Sequence, residues 1–371
     1  MTAAPGESRR SGPPRVALAL GGGAARGLAH LGVLEVFERE CIAIDFIAGS
    51  SMGGLIGALR ATGLLSGDIA ALARSFRFPR RFIPGGMLDW SALFASSVPA
   101  LSGSFEELEI PLAVTAVDLE AGAQVVIHTG PLLPAVRATC TVPGVFSPVK
   151  LGGRWLVDGG LMNVLPVDVA WMSAPDFVVA VNVGGARERR IPQLDSRLVS
   201  LLSRLGGIVP NPATAKVTFE ILVRAAEIML ERQTTLAAAM TAPELLVEPE
   251  LGDMGLRDFD RLDHAVAAGR RAAEAALPAL ARLFESAPAR VSAGERVLSL
   301  RFDPVCAMVI DPSRARATAI RGDRTYYFCS ENCRDCFERD PTAYLSGSLL
   351  DFGEETDGGT RPGRGRRRGL K

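Results

Sequence analysis

With 371 residues, 48% hydrophobic and 22% charged, the chain is long enough to bury at least one large core and to divide into domains. Its 41 basic and 41 acidic residues cancel, which argues against a general nucleic-acid binder and against an acidic solvating chain. Six cysteines are too few for a disulfide scaffold of this size, and four of them fall between Cys306 and Cys336, a clustering that points to metal binding in a reducing, cytoplasmic setting.

In chain order, residues 1–14 are rich in Pro, Gly, Ser and Arg and are expected to be a disordered leader. The first apolar run, Val16 to Leu20, stops at three glycines, far short of a signal or membrane-spanning core, so neither secretion nor membrane crossing is expected. From Arg15 the chain alternates strand-like runs (Val16 to Leu20, Asp45 to Ala48, Leu112 to Val117, Gln124 to His128, Phe177 to Val183) with helical stretches (Ala29 to Arg39, Met52 to Thr62, Pro166 to Met172). Such alternation predicts an α/β fold, a mostly parallel sheet covered by helices on both faces. Helical patterns at Ala213 to Met240 and Leu262 to Phe284, separated by the strand-like Leu245 to Glu248, close a domain expected over residues 15–287. A polar Pro/Gly linker is expected at 288–299, a small Cys-rich unit at 300–347 and a disordered basic tail at 348–371.

The strongest local signal is Gly49-Ser50-Ser51-Met52-Gly53, which follows a strand run and opens a helix. A serine hydroxyl becomes a useful nucleophile when a sharp strand-to-helix turn exposes it beside a base, and Ser51 is the residue so placed. Upstream, Gly21-Gly22-Gly23-Ala24-Ala25-Arg26-Gly27 also joins a strand to a helix, where backbone N–H groups can converge on an oxyanion or a phosphate. A dinucleotide site fits less well, because Arg26 stands where the third glycine belongs. Three histidines, His30, His128 and His264, are the whole supply for a Ser-His-Asp triad. None sits in a motif, and each reads as a packing or surface residue. A carboxylate can serve instead: Asp158-Gly159-Gly160 follows the strand-like Trp155 to Val157, and paired glycines let a tight loop press an acid against a hydroxyl. An aspartate near pKa 4 is a poor base for serine, so this role requires desolvation to raise it; the commoner meaning of Asp-Gly is a plain turn.

These pieces, with Arg137-Ala138-Thr139 and Pro143 before the acid and Asn163 and Pro166 after it, resemble the patatin-like phospholipase family over about residues 15–285. The resemblance implies a Ser-Asp dyad of Ser51 and Asp158, an oxyanion hole at Gly22, Gly23 and Ala24, and hydrolysis of a lipid acyl ester through a covalent acyl-enzyme. Within that reading, the Ala/Leu helices and the segment Phe76 to Met87 wall an acyl cleft, and Arg80 and Arg81 either meet phosphate headgroups at a membrane surface or form a solvated loop.

Beyond the linker, Cys329, Cys333 and Cys336 fall on one face if the stretch is helical, and Cys306 could complete a thiolate site for a soft metal. Asp303-Pro304-Val305-Cys306, Tyr326-Tyr327-Phe328-Cys329-Ser330 with Cys333, and Asp340-Pro341 with Tyr344 resemble the YHS-type metal-binding domain over about residues 300–346. That resemblance matches Cys306, Cys329 and Cys333 to the family's cysteines, leaves Cys336 outside the usual pattern, and implies a zinc, copper or iron ion. The expectation is a carboxylic ester hydrolase with a metal-binding appendage. Its rivals are a catalytically silent hydrolase fold reporting metal or redox state, and a nucleotide binder using the glycine loop.

Overall fold

The computed structural model describes residues 13–76, 95–184 and 241–286, with shorter pieces at 228–229, 232–233, 301–302, 309–310, 315–321, 324–328, 331–339 and 341. Residues 1–12 of the expected leader, the linker and basic tail, the helical pattern at Ala213 to Met240 apart from those short pieces, and residues 77–87 with Arg80 and Arg81 lie outside the described residues.

The chain enters through strand β1 (Val16–Leu20), a 3-10 turn (Ala24–Leu28) and helix α1 (Ala29–Arg39). It continues through β2 (Phe46–Ser50), α2 (Met52–Ala61), α3 (Ser66–Ala73), β3 (Leu112–Asp118), β4 (Ala123–Ile127) and α4 (Leu132–Thr139). Then follow β5 (Val149–Leu151), β6 (Arg154–Asp158), α5 (Val167–Ala170), β7 (Phe177–Val181), β8 (Leu245–Val247) and α6 (Leu262–Ser286). These make an eight-stranded sheet ordered β5-β6-β3-β2-β1-β7-β8, with β4 also paired to β3. Pairings among β3, β2, β1, β7 and β8 are parallel, while β4 and β6 meet β3 antiparallel and β5 meets β6 antiparallel. The expected α/β sandwich is therefore present, with an antiparallel end.

Strand β1 is buried on both faces, as a central parallel strand must be. Val16, Leu18 and Leu20 point into the larger core beneath α1, α2 and α6, and Ala17 and Ala19 into a smaller one with Val164, Leu165, Val167 and Val169. The alternation of large and small side chains follows the two-residue period of the strand and lets the segment around α5 approach closely. On the other face α1 and α6 pack nearly backbone to backbone. A Cβ on Gly32 would overlap the Val266 carbonyl, and one on Gly269 the Ala29 carbonyl. Arg270 to Glu35 at 2.7 Å and Arg39 to Glu274 at 2.9 Å flank that crossing.

The register of β3 decides where the chemistry can sit. Thr115 pairs with Ser50 of β2 on one side and Val126 of β4 on the other; one residue later Ala116 pairs with Asp158 of β6 and Val125 of β4. Because β4 keeps its edge throughout, β2 and β6 share the opposite edge end to end. Where β2 turns away after Ser50, β6 arrives with Asp158.

In the C-terminal part, β9 (Arg301–Phe302) pairs with β10 (Val309–Ile310), and β11 (Ala317–Arg321) with β12 (Arg324–Phe328), both antiparallel; helix α7 spans Glu331–Arg339. Ala317, Ala319, Phe328 and Phe337 form a small separate core against which Tyr326 and Cys333 pack. The Phe337 ring lies 5.2 Å from Phe328 and 5.0 Å from Tyr326. The aromatic triplet thus splits, as strand alternation dictates, with residues 326 and 328 turned to one face.

Candidate active site

Ser51 occupies the sharp turn between β2 and α2 with φ 52° and ψ −123°, a left-handed backbone conformation that non-glycine residues rarely adopt. The turn is possible because its flanks lack side chains: a Cβ on Gly49 would press on Gly54 at 2.5 Å, and one on Gly53 would overlap the Leu20 carbonyl. Both backbone polar groups of the strained residue are held. The Ser51 N–H donates to Thr139 Oγ1 at 2.8 Å, and the Cys140 thiol donates to the Ser51 carbonyl at 3.2 Å. The end of α4 therefore clamps the turn against its tendency to relax.

The Ser51 hydroxyl donates to Asp158 Oδ2 at 2.6 Å across 107 positions of sequence. The other carboxylate oxygen accepts from the Gly160 N–H at 2.8 Å, and the Asp158 N–H donates to the Thr141 carbonyl at 2.9 Å. Asp158 is 6% exposed. Burial pushes its carboxyl up from 3.8 to about 6, against the lowering pull of the Ser51 and Gly160 hydrogen bonds. That is the desolvation a carboxylate needs to act as a base for serine. It remains ionised at neutral pH.

The glycine loop lies beside this pair, since a Cβ on Gly22 would stand 3.1 Å from Ser51 Cβ. Its donors are not equivalent. The Gly21 N–H donates to the Val181 carbonyl at 3.1 Å and the Gly22 N–H to the Val164 carbonyl at 2.8 Å. Gly22, expected as an oxyanion donor, has its N–H committed to the backbone after the Asp-Gly-Gly turn. Among the described residues the N–H groups of Gly23, Ala24 and Met52 have no backbone acceptor, the last because it opens a helix. Arg26 is buried, and Gly27 leaves the space that the Met52 side chain fills.

Of the histidines, His128 is exposed and His264 reaches the Leu251 carbonyl at 3.3 Å. His30 is fully buried on α1, its Nε2 2.7 Å from the Gly21 carbonyl. Burial drives it down to about 4, so the ring is neutral, and because a carbonyl only accepts, Nε2 carries the proton. None of the three histidines hydrogen-bonds to Ser51 or Asp158. Behind the acid, Asn163 Nδ2 donates to Asp168 Oδ1 at 2.7 Å, and burial also raises Asp168.

The roles of Thr139, Cys140 and His30 were not legible as such. Thr139 and Cys140 act on backbone atoms of Ser51, some 88 residues away, and His30 on the backbone of the glycine loop nine residues before it, and no local pattern marks any of these partners.

The C-terminal cysteines are less complete. Helix α7 (Glu331–Arg339) carries Cys333 and Cys336, two of the three thiols expected on one helical face. Cys306 and Cys329 lie outside the described residues. Cys333 packs against the small core, and Cys336 Sγ accepts from Arg339 Nη2 at 3.0 Å. Among the described residues no group of three or more His, Cys, Asp or Glu is arranged to hold a metal ion.

A mostly parallel α/β sheet thus delivers a serine on a strained strand-to-helix turn, with a glycine loop beside it. The patatin-like phospholipase family model matches residues 18–171 and the YHS domain model residues 302–348; the chain carries both domains. An NTE family protein of Mycobacterium tuberculosis is 39% identical over 187 residues, covering 48% of this chain and 51% of the relative. A second from that organism is 31% identical over 284 residues, covering 73% and 48%. The mouse patatin-like phospholipase domain-containing protein 6 is 30% identical over 268 residues, covering 67% of this chain and 19% of its own. This chain therefore spans about half the length, or less, of these relatives. Among solved structures, VipD from Legionella pneumophila aligns with a TM-score of 0.40 and 11% identity, covering 75% of this chain and 68% of that one. Among the described residues no helix is long and apolar enough to cross a membrane.

Proposed function

We propose that the chain is a serine acyl hydrolase of the patatin-like type, cleaving acyl ester bonds of phospholipid or lysophospholipid through a Ser51–Asp158 dyad. The observation that carries this reading is the 2.6 Å hydrogen bond from the Ser51 hydroxyl to a buried carboxylate on a strained turn. Ionised Asp158 takes the Ser51 proton as Oγ bonds to the acyl carbonyl carbon. The carbonyl π electrons move onto oxygen, and the oxyanion is received by the N–H groups of Gly23, Ala24 and Met52. Collapse breaks the ester C–O bond, and the leaving alcohol takes the proton from Asp158. Water then gives a proton to Asp158 and attacks the acyl-enzyme, and the proton returns to Ser51 as the fatty acid leaves.

The relatives' phospholipase name and the patatin-like domain support a lipid ester as substrate. We place the hydrolase unit at residues 15–287 and a YHS-type unit at 300–347, with Cys306, Cys329 and Cys333 as ligands of a zinc, copper or iron ion. A cytoplasmic protein that meets membrane surfaces peripherally fits this substrate class.

The test uses p-nitrophenyl acyl esters of graded chain length and a fluorophosphonate label on wild type, Ser51→Ala and Asp158→Asn. Loss of turnover by at least ~10³-fold in both variants, with labelling abolished in Ser51→Ala, is expected. Well-folded wild type that neither labels nor turns over these esters or phospholipid vesicles refutes the proposal. Metal content of the full chain and of Cys329→Ser tests the second unit separately.

A further inference from the structure

Fully buried His30 has no part in the mechanism above, yet it grips the loop that the mechanism uses. The carbonyl of Gly21 and the N–H of Gly22 belong to one peptide plane. That plane is held from both sides, its N–H by the Val164 carbonyl at 2.8 Å and its C=O by His30 Nε2 at 2.7 Å. Three consecutive glycines have no Cβ to bias their dihedrals, so a peptide flip inside Gly21-Gly22-Gly23 is otherwise cheap. Two bonds of opposite polarity make the flip expensive, because both break together in a place where water cannot replace them.

We propose that His30 is a positioning residue: by donating from Nε2 to the Gly21 carbonyl it locks the Gly21–Gly22 peptide plane and so sets the conformation of the oxyanion loop beside Ser51. The anchor stands on a rigid element, since α1 is pressed onto α6 through Gly32 and Gly269. Its reach covers both ends of the loop, because a Cβ on Gly27 would lie 3.7 Å from His30 Cδ2. The imidazole also carries a cost. Nδ1 is buried with no hydrogen-bond partner among the described residues, whereas an apolar side chain there would leave nothing unpaired. A residue kept for packing alone would not need that cost, and a residue kept for its Nε2–H does.

The proposal rests on the hydrolase reading, and its test separates the two. Ser51-dependent kcat and KM on a p-nitrophenyl ester are measured for the full chain carrying His30→Gln, His30→Asn or His30→Leu, with Ser51→Ala as control. Glutamine places its amide nitrogen near the position of Nε2, whereas asparagine is too short to reach Gly21. Expected is a fall in kcat of ~10- to 100-fold for asparagine and leucine with KM within about twofold, and recovery to within a few-fold for glutamine. The Gln and Asn variants carry the test if the leucine variant does not fold. Asparagine with wild-type kcat, or glutamine as impaired as asparagine, overturns the positioning role while leaving the dyad standing. Turnover that persists in Ser51→Ala, or is absent from wild type, removes the hydrolase reading and this proposal with it.

Discussion

Replacing Asp158 by asparagine should stabilise the protein, by an amount that depends on pH. The carboxyl titrates near 6 in the folded chain, against 3.8 as its ordinary value, because burial disfavours its charge. A group whose folded pKa is raised contributes its full stability below the unfolded pKa and loses it as pH climbs through the folded pKa. About two pKa units at 1.36 kcal/mol each make the ionised carboxylate a burden of about 3 kcal/mol at neutral pH. Asparagine is never charged and keeps both contacts, its oxygen accepting from the Gly160 N–H and its NH₂ donating to the Ser51 hydroxyl. The stability difference between Asp158→Asn and wild type should therefore widen from about 1 kcal/mol at pH ~4.5 to about 3 kcal/mol at pH ~8. Urea unfolding followed by tryptophan fluorescence is suited to this, because Trp90, Trp155 and Trp171 all belong to the N-terminal part of the chain. A difference that does not vary with pH, or an asparagine variant less stable than wild type at pH ~8, would refute the account of Asp158 as a desolvated base.

The same titration should govern turnover: kcat/KM falls about tenfold per pH unit below about 6, as protonated Asp158 cannot accept the Ser51 proton, and a profile flat to pH ~5 contradicts the assignment. Ser51→Gly relieves the left-handed strain and should raise the unfolding midpoint by the equivalent of about 1 kcal/mol while abolishing activity; no gain means that the turn is not strained. Thr139→Val leaves the buried Ser51 N–H without its acceptor and should cost about 1–3 kcal/mol, whereas Thr139→Ser should cost less than half as much in the same denaturation assay.

Much of the first half of the fold is visible in local pattern because its boundaries are chemical. Val16 to Leu20 is a fully apolar run cut off by glycine, and Ala29 to Arg39 carries a clear helical period; the structure reproduces both spans. Helix α4 escapes the pattern because Pro134 sits inside it, and only its place in the first turn, where no intrahelical acceptor is lost, makes that proline harmless. The antiparallel end, β5 against β6 and β6 against β3, depends on which distant strand fills the rest of an edge, and no local period records that. Ser51 and Asp158 were legible from their glycine settings. Their pairing is legible through the family resemblance alone, because it depends on the change of partner from β2 to β6 between Thr115 and Ala116, which no local pattern records.

That change of partner has a consequence in time. Ser51 emerges early in synthesis, and its elbow can form from a βα unit alone, but its partner is made 107 residues later. At ~5–20 residues per second the ribosome delivers Asp158 several seconds after the serine, and β6 must still dock before proton and hydroxyl are paired. Until then the nascent chain holds a nucleophile with no base. On the proposed hydrolase reading, the serine is armed only when β6 docks on β3, well after the serine itself has been made.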